Sequence, residues 1–295
     1  INLGAFLAPL VAGYLGERVG WWLGFGAPGV WMLLGLLMYL WGKDKYLPGI
    51  GLPRAREKDA AGQVKADAPL TREEKERVAV IFLVAFFVIF FWSAYEQAGA
   101  SLNIFADRHT DRVVAGFEVP ASWFQSVNPL AILLFAPVFA WIWTWLGRWG
   151  KEPATPVKMA LGLLLLSSGF LLLVSAGHRV DAGVMVSPLW LVGGYVLHTW
   201  GELCLSPIGL SLVTKLAPVK FASLLMGVWF LANAASNKIA GTLSALMPVT
   251  DGTAPASAFD SFADFFMLFV VASAAAGLIL LLLSPMLKRM MHGRG

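Results

Sequence analysis

A single cysteine, Cys204, stands in a chain of 295 residues, which excludes a disulfide framework and a cysteine-rich metal site. Charge is scarce too. Only 14% of the residues are Asp, Glu, Lys or Arg, where a soluble globular chain carries about 25%. The chain has no HExxH helix, no glycine-rich phosphate loop and no nucleophile elbow. His198, Glu202 and Cys204 make a poor metal site, because their spacing cannot put all three on one helix face. An enzyme, a cofactor and a metal are therefore not expected.

Apolar residues are abundant. They make up 58% of the chain, with a mean hydropathy of +0.71, against about 45–50% in soluble domains. A water-soluble domain of this size could not hide so much apolar surface, so lipid must cover it. Thirty glycines and thirteen tryptophans agree with that reading. Glycine lets membrane helices approach closely, and tryptophan favours the bilayer interface.

Crossing the hydrocarbon core takes about 20 apolar residues in a helix. Eight stretches qualify: 1–16, 21–42, 77–105, 122–146, 158–177, 187–212, 220–244 and 262–287. None shows the alternation of a barrel strand, so the expected fold is an all-α polytopic bundle. Seventeen of the 22 Lys and Arg fall in the 43–76 segment and in every second connection after it. Only Arg18, Arg108, Arg112 and Arg179 fall on the other side, and Lys238 lies inside a span. The positive-inside rule makes the basic side, and with it the C-terminus, cytoplasmic. The basic excess is thus a topology signal rather than a sign of nucleic-acid binding.

The 43–76 segment is the one long polar stretch and reads as a cytoplasmic linker between spans within 1–42 and six spans within 77–295. Its end, Thr71-Arg72-Glu73-Glu74, has the form of a helix start, with Thr71 as N-cap and Glu74 at the third helical position. The chain opens inside an apolar run, with no initiator Met and no basic n-region. No signal peptide is expected, and upstream spans are expected to be missing.

Ionisable groups inside a bilayer are costly and mark substrate or proton paths more often than not. Glu96, Glu202 and Lys238 remain within spans. Glu202 is the deepest and shares a helix face with His198 and Ser206, four residues either side. Trp229, Asn233 and Asn237 make a similar stripe on the next span, and Asn128 stands just before Pro129. Such stripes would line a cavity if they face each other. The alternatives stay open at this point: Glu202 as a structural acid bonded to backbone or to His198, the asparagines as helix–helix glue, Lys238 snorkelling to the headgroups.

The stretches "GELCLSPIGLSLVTKLAP" (201–218) and "LLMGVWFLANAASNKIAG" (224–241) closely resemble the late signature of the proton-dependent oligopeptide transporter family, within the major facilitator superfamily. "FFWSAYEQAGASLNIFADR" (90–108), "FQSVNPLAILLFAPVFAWIW" (124–143) and "NLGAFLAPLVAGYLGE" (2–17) resemble it too. The resemblance implies that these are the fifth to twelfth spans of a proton-coupled symporter of di- and tripeptides in a bacterial inner membrane. Its partners would be peptides, protons and the lipid bilayer. Glu202, Asn128, Trp229, Ser206 and Glu96 match positions lining the family's central peptide cavity, with Glu202 and Glu96 also candidates for proton coupling. Asp107 matches an outer-gate position. The family's acidic–acidic–arginine motif on span one and its span-four lysine are absent. Many bacterial relatives carry two extra helices between spans six and seven. The 43–76 linker is too polar for them, which implies a twelve-span parent. Lys238 stands where a small or neutral residue is expected. A same-fold carrier of another solute, such as nitrate or a peptide-like compound, and a non-transporting membrane subunit are the rival readings.

Overall fold

A computed structural model describes residues 1–50, 69–248 and 258–294. The middle of the expected linker and most of the loop after span 220–244 therefore lie outside the described residues. The chain is helical nearly throughout. Helix α1 (Asn2–Ala8) continues through two π turns, Pro9–Gly13 and Leu15–Val19. Then follow α2 (Trp21–Tyr46), α3 (Arg72–Tyr95) and α4 (Ser101–His109). A two-residue hairpin pairs β1 (Val113–Val114) with β2 (Phe117–Glu118), with Val113 opposite Glu118. After it come α5 (Val127–Arg148), α6 (Thr155–Asp181), α7 (Leu189–Leu216), α8 (Ala222–Ser244) and α9 (Phe262–Met290).

Among the described residues, 7 helices are long and apolar enough to cross a membrane. They are Trp21–Tyr46, Arg72–His109, Ala121–Arg148, Thr155–Asp181, Leu189–Leu216, Val219–Ser244 and Phe262–Met290. The protein is an integral membrane protein. One expected span, 1–16, is not among the seven. Pro9 withholds a backbone donor there, and the ladder widens into π turns from that residue on. Glu17 and Arg18 end the segment on polar side chains. The start of α3 follows its sequence signature. The Thr71 Oγ1 accepts from the Glu74 N–H at 3.2 Å, and the Thr71 N–H donates back to Glu74 Oε2 at 2.9 Å.

Helix α6 packs along both α7 and α9, and α3 packs on α8. The α6–α7 crossing is set by two glycines. A Cβ on Gly162 would stand 2.7 Å from the Gly201 carbonyl oxygen, and one on Gly201 would stand 2.6 Å from the Gly162 oxygen. Aromatic rings weld α4, α6 and α9. Phe105 meets Phe266 edge-on at 5.2 Å, and Phe170 stacks on Phe269 at 4.8 Å. Helix α2 is apolar yet exposed on all sides, as a helix standing in lipid or against further helices would be.

Among the described residues, the segment before the linker packs on α5 through α1, and its side-chain bonds to the later bundle gather at one end. The Glu17 carboxylate accepts from the Ala121 and Ser122 N–H groups at 3.1 and 3.0 Å, capping the turn that leads into α5. Trp123 donates to the Leu10 carbonyl and Ser126 to the Phe6 carbonyl, at 3.2 and 2.8 Å. Arg18 pairs with Glu118 at 3.1 Å. These side-chain bonds lie at the end of the spans that carries few basic residues.

Candidate functional site

The α3 span does not run straight. Four residues of 3₁₀ helix, Glu96–Gly99, separate α3 from α4. A break in a spanning helix frees backbone groups that lipid cannot satisfy. Gln97 serves that role here. Its side chain is fully buried and donates to the carbonyls of Ser93 and Ala240, both at 3.1 Å, while Ser101 donates to its Oε1 at 2.6 Å. The break therefore docks on α8 and presents Tyr95 and Glu96 at the bundle's inner side.

Glu202 meets Tyr95 there. Its Oε2 accepts from the Tyr95 hydroxyl at 2.6 Å and from the Asn128 amide at 2.9 Å. Asn128 also donates to Thr199 Oγ1 at 3.0 Å, and Thr199 donates to the Tyr195 carbonyl at 2.7 Å. Tyr195 in turn donates to the Ala98 carbonyl at 3.2 Å, back in the α3 break. One carboxylate thus ties together α3, α5 and α7. Both donors to it are neutral, and among the described residues it has no ion pair.

Beside this network lies a pocket of about 320 Å³ between α3, α7 and α8. Trp92, Glu96, Ser206, Trp229, Asn233 and Asn237 are among the residues lining it. Ser206 sits one turn below Glu202 on α7, and Glu96 follows Tyr95, so network and pocket share two walls. The Trp229 ring is only 3% exposed. Its benzo edge fills the place a side chain would take at Gly209, since a Cβ there would stand 2.4 Å from Trp229 Cζ2.

The expected site residues are thus divided. Glu202 and Asn128 bond directly, and Ser206, Trp229 and Glu96 line the adjoining pocket. Asp107 lies apart, at the end of α4, where it pairs with Arg112 at 2.9 Å. Arg112 also pairs with Glu118 at 3.1 Å. Of the α7 stripe, Ser206 faces the α8 stripe across the pocket, while Glu202 turns to Tyr95 and Asn128. His198 leaves its stripe and is buried against the Phe170 ring at 4.5 Å, so Glu202 does not bond to it. Lys238 lies on the exposed side of α8, away from its buried face. Sequence reasoning missed Tyr95, Thr199 and Gln97. A hydroxyl and an amide immediately flanking Glu96 inside a span were the available signal for two of them.

An acidic group held by neutral donors, beside a part-apolar, part-amide pocket at a broken helix, in a bundle of the major facilitator type, defines a membrane transport protein. The profile described as POT family matches residues 1–48 and 56–259, and the chain belongs to that family. It is 35% identical to an uncharacterised transporter, YclF, of Bacillus subtilis, over 99% of this chain and 66% of that protein. It is 32% identical to the peptide transporter YePEPT of Yersinia enterocolitica, over 99% of this chain and 67% of that one. A crystal structure of a POT peptide transporter, a Glu-to-Gln mutant in complex with alafosfalin, superimposes with a TM-score of 0.83 at 34% identity, covering 99% of this chain and 67% of that one. A POT family transporter in complex with 5-aminolevulinic acid gives 0.81 at 26% identity, covering 98% and 68%. The chain thus spans about two thirds of the length of the relatives it matches.

Proposed function

We propose that the chain carries the larger part of the cavity of a proton-coupled symporter of di- and tripeptides, working by alternating access. The observation that carries this reading is Glu202, an acid inside the bundle whose described partners are two neutral donors. A short peptide is a zwitterion with a constant backbone and variable side chains. A site for many peptides should clamp the termini and leave room between them. The Glu202 carboxylate suits the ammonium end, and it can hold either that group or a proton. Asn128 both donates and accepts, which suits the peptide amide. Trp229 and Trp92 give an apolar wall, and Asn233 and Asn237 line the same pocket.

On this reading residues 1–42 belong to one helical bundle, 43–76 to a linker and 77–295 to the second bundle. The two bundles rock about the site. The linker and the C-terminus face the cytoplasm of a bacterial cell, since the lysines and arginines gather at that end. The contacts of Glu17, Arg18, Trp123 and Ser126 close the opposite end, and Asp107 with Arg112 belongs to that closure. The activity is transport, with no covalent step. Peptide-like compounds form a second reading, favoured by the relatives held with alafosfalin and 5-aminolevulinic acid.

The test is uptake of a labelled dipeptide by the protein in proteoliposomes under an imposed proton gradient, with Glu202→Gln alongside. Glutamine is nearly isosteric and still accepts from Tyr95, so the fold should hold. Accumulation against the gradient should nevertheless fall by most of its parent value. N-acetylated dipeptide should lose less affinity than the free form, because it never used the charge. A mutant that accumulates peptide as well as the parent would reduce Glu202 to a structural acid.

A further inference from the structure

A larger cavity, about 650 Å³, opens at the lysine- and arginine-rich end of the bundle. On α7 it is lined by Leu203, Pro207, Ser211 and Lys215, a stripe of every fourth residue. That stripe is rotated by about 100° from the one bearing Glu202 and Ser206, so the cavity has a wall of its own. Its apolar side is closed by Phe139 and Trp143 of α5. Its polar side collects charge. Lys158 pairs with Glu152 and lies over the Trp143 ring. Lys215 and Lys288 also line the cavity, and neither has an ion pair among the described residues. They stand in the last turns of α7 and α9. Pro153, Ala154 and Thr155 complete the lining at the start of α6.

Position and composition narrow the ligand. Trp141 and Trp145 in the last turns of α5, and Trp149 just after it, are 64%, 47% and 67% exposed, as in a belt at headgroup depth. Cations on one wall and aromatic rings on the other suit an amphiphile with a phosphate at its polar end. Lysines scattered only to set topology would not need to converge on one cavity. We propose that this cavity binds the phosphate of an anionic phospholipid headgroup, with Lys215 and Lys288 as its cations. The lipid's glycerol and upper acyl chain then lie along Phe139 and Trp143. The site is separate from the peptide cavity and does not depend on which solute is carried.

The test uses the protein in phosphatidylcholine nanodiscs doped with phosphatidylglycerol, with the retained lipids counted by native mass spectrometry. The parent should retain phosphatidylglycerol in preference to phosphatidylcholine. The double variant Lys215→Gln, Lys288→Gln should cut that retention about 25-fold, since each interfacial lysine contributes roughly a factor of five. Both side chains are exposed and outside any described ion pair, so the fold is not at risk. Arg148→Gln, a cation at the same end but outside the cavity lining, should leave retention unchanged. Equal loss in that control, or no loss in the double variant, would reduce the lysines to diffuse surface charge. A third arm adds inorganic phosphate to protein in pure phosphatidylcholine discs. Thermal stabilisation of the parent but not of the double variant would assign the site to a soluble phosphate and overturn the lipid reading. No stabilisation supports it.

Discussion

Glu202 takes both its described hydrogen bonds on one oxygen. Its other oxygen, Oε1, receives none among the described residues, and one turn below it Ser206 enters the pocket. Neutral donors thus position the carboxylate, and on the proposed reading its partner in the working cycle is the peptide's ammonium group or a proton. Trp229 plays a different part at the same scale. Its ring is buried at one edge in the gap at Gly209 and contributes a face to the pocket. Trp229→Ala should therefore lower affinity for aromatic dipeptides by about tenfold or more and affinity for dialanine by much less, because a larger ligand side chain covers more of the apolar wall. Competition binding with a series of dipeptides reads the difference. Equal losses across the series would make Trp229 a packing residue of α8.

At the scale of the element, close helix approach decides which faces meet. The Gly162–Gly201 crossing brings α6 and α7 backbone to backbone, which turns Glu202, the next residue of α7, toward α3 and α5. Gly201→Ala would push its Cβ to 2.6 Å from a carbonyl oxygen, an obstacle that no side-chain rotation can relieve. Overpacking of this kind costs about 1–3 kcal/mol. Thermal unfolding in detergent should show a Tm lower by several degrees for this variant. Gly241→Ala, where nothing lies within 4 Å, should leave the Tm unchanged or raise it. Indistinguishable curves for the two variants would contradict the crossing geometry. The 3₁₀ break before α4 is the second device of this scale. It is stable in lipid because Gln97 satisfies the Ser93 carbonyl and ties the break to the Ala240 carbonyl of α8, and it puts Tyr95 and Glu96 on the inner surface.

For the molecule as a whole, the question is which end is closed. The described hydrogen bonds and ion pair between the segment before the linker and the later bundle gather at the end with few basic residues. The Glu17 cap on Ala121 and Ser122 is the most directed of them. Glu17→Gln combined with Arg18→Gln should loosen that closure. A contact worth about 1 kcal/mol changes the population of the alternative state roughly fivefold. The readout is alkylation of a cysteine at position 206, in a Cys204→Ser background, by an impermeant reagent added from the side with few basic residues. The rate should rise by about that factor in the double variant. An unchanged rate would show that these contacts only join elements and do not gate.

Much of this organisation is legible along the chain. Membrane insertion and seven of the eight expected spans follow from runs of apolar residues about 20 long. The Thr71 cap and the presence of an acid deep in a span follow from local chemistry as well. These properties depend on neighbours in sequence, which any one segment carries by itself. What each helix faces is another matter. Helices that are apolar on nearly every side have little periodic contrast, so the direction in which Glu202 or His198 points cannot be read from spacing. That was decided by tertiary packing. Tyr95 and Asn128 reach Glu202 from 107 and 74 residues away. His198 turned instead into an aromatic core, and packing gave Asp107 its partner Arg112. The lysine-lined cavity is of the same kind, since Lys158, Lys215 and Lys288 converge only when the start of α6 lies beside the ends of α7 and α9.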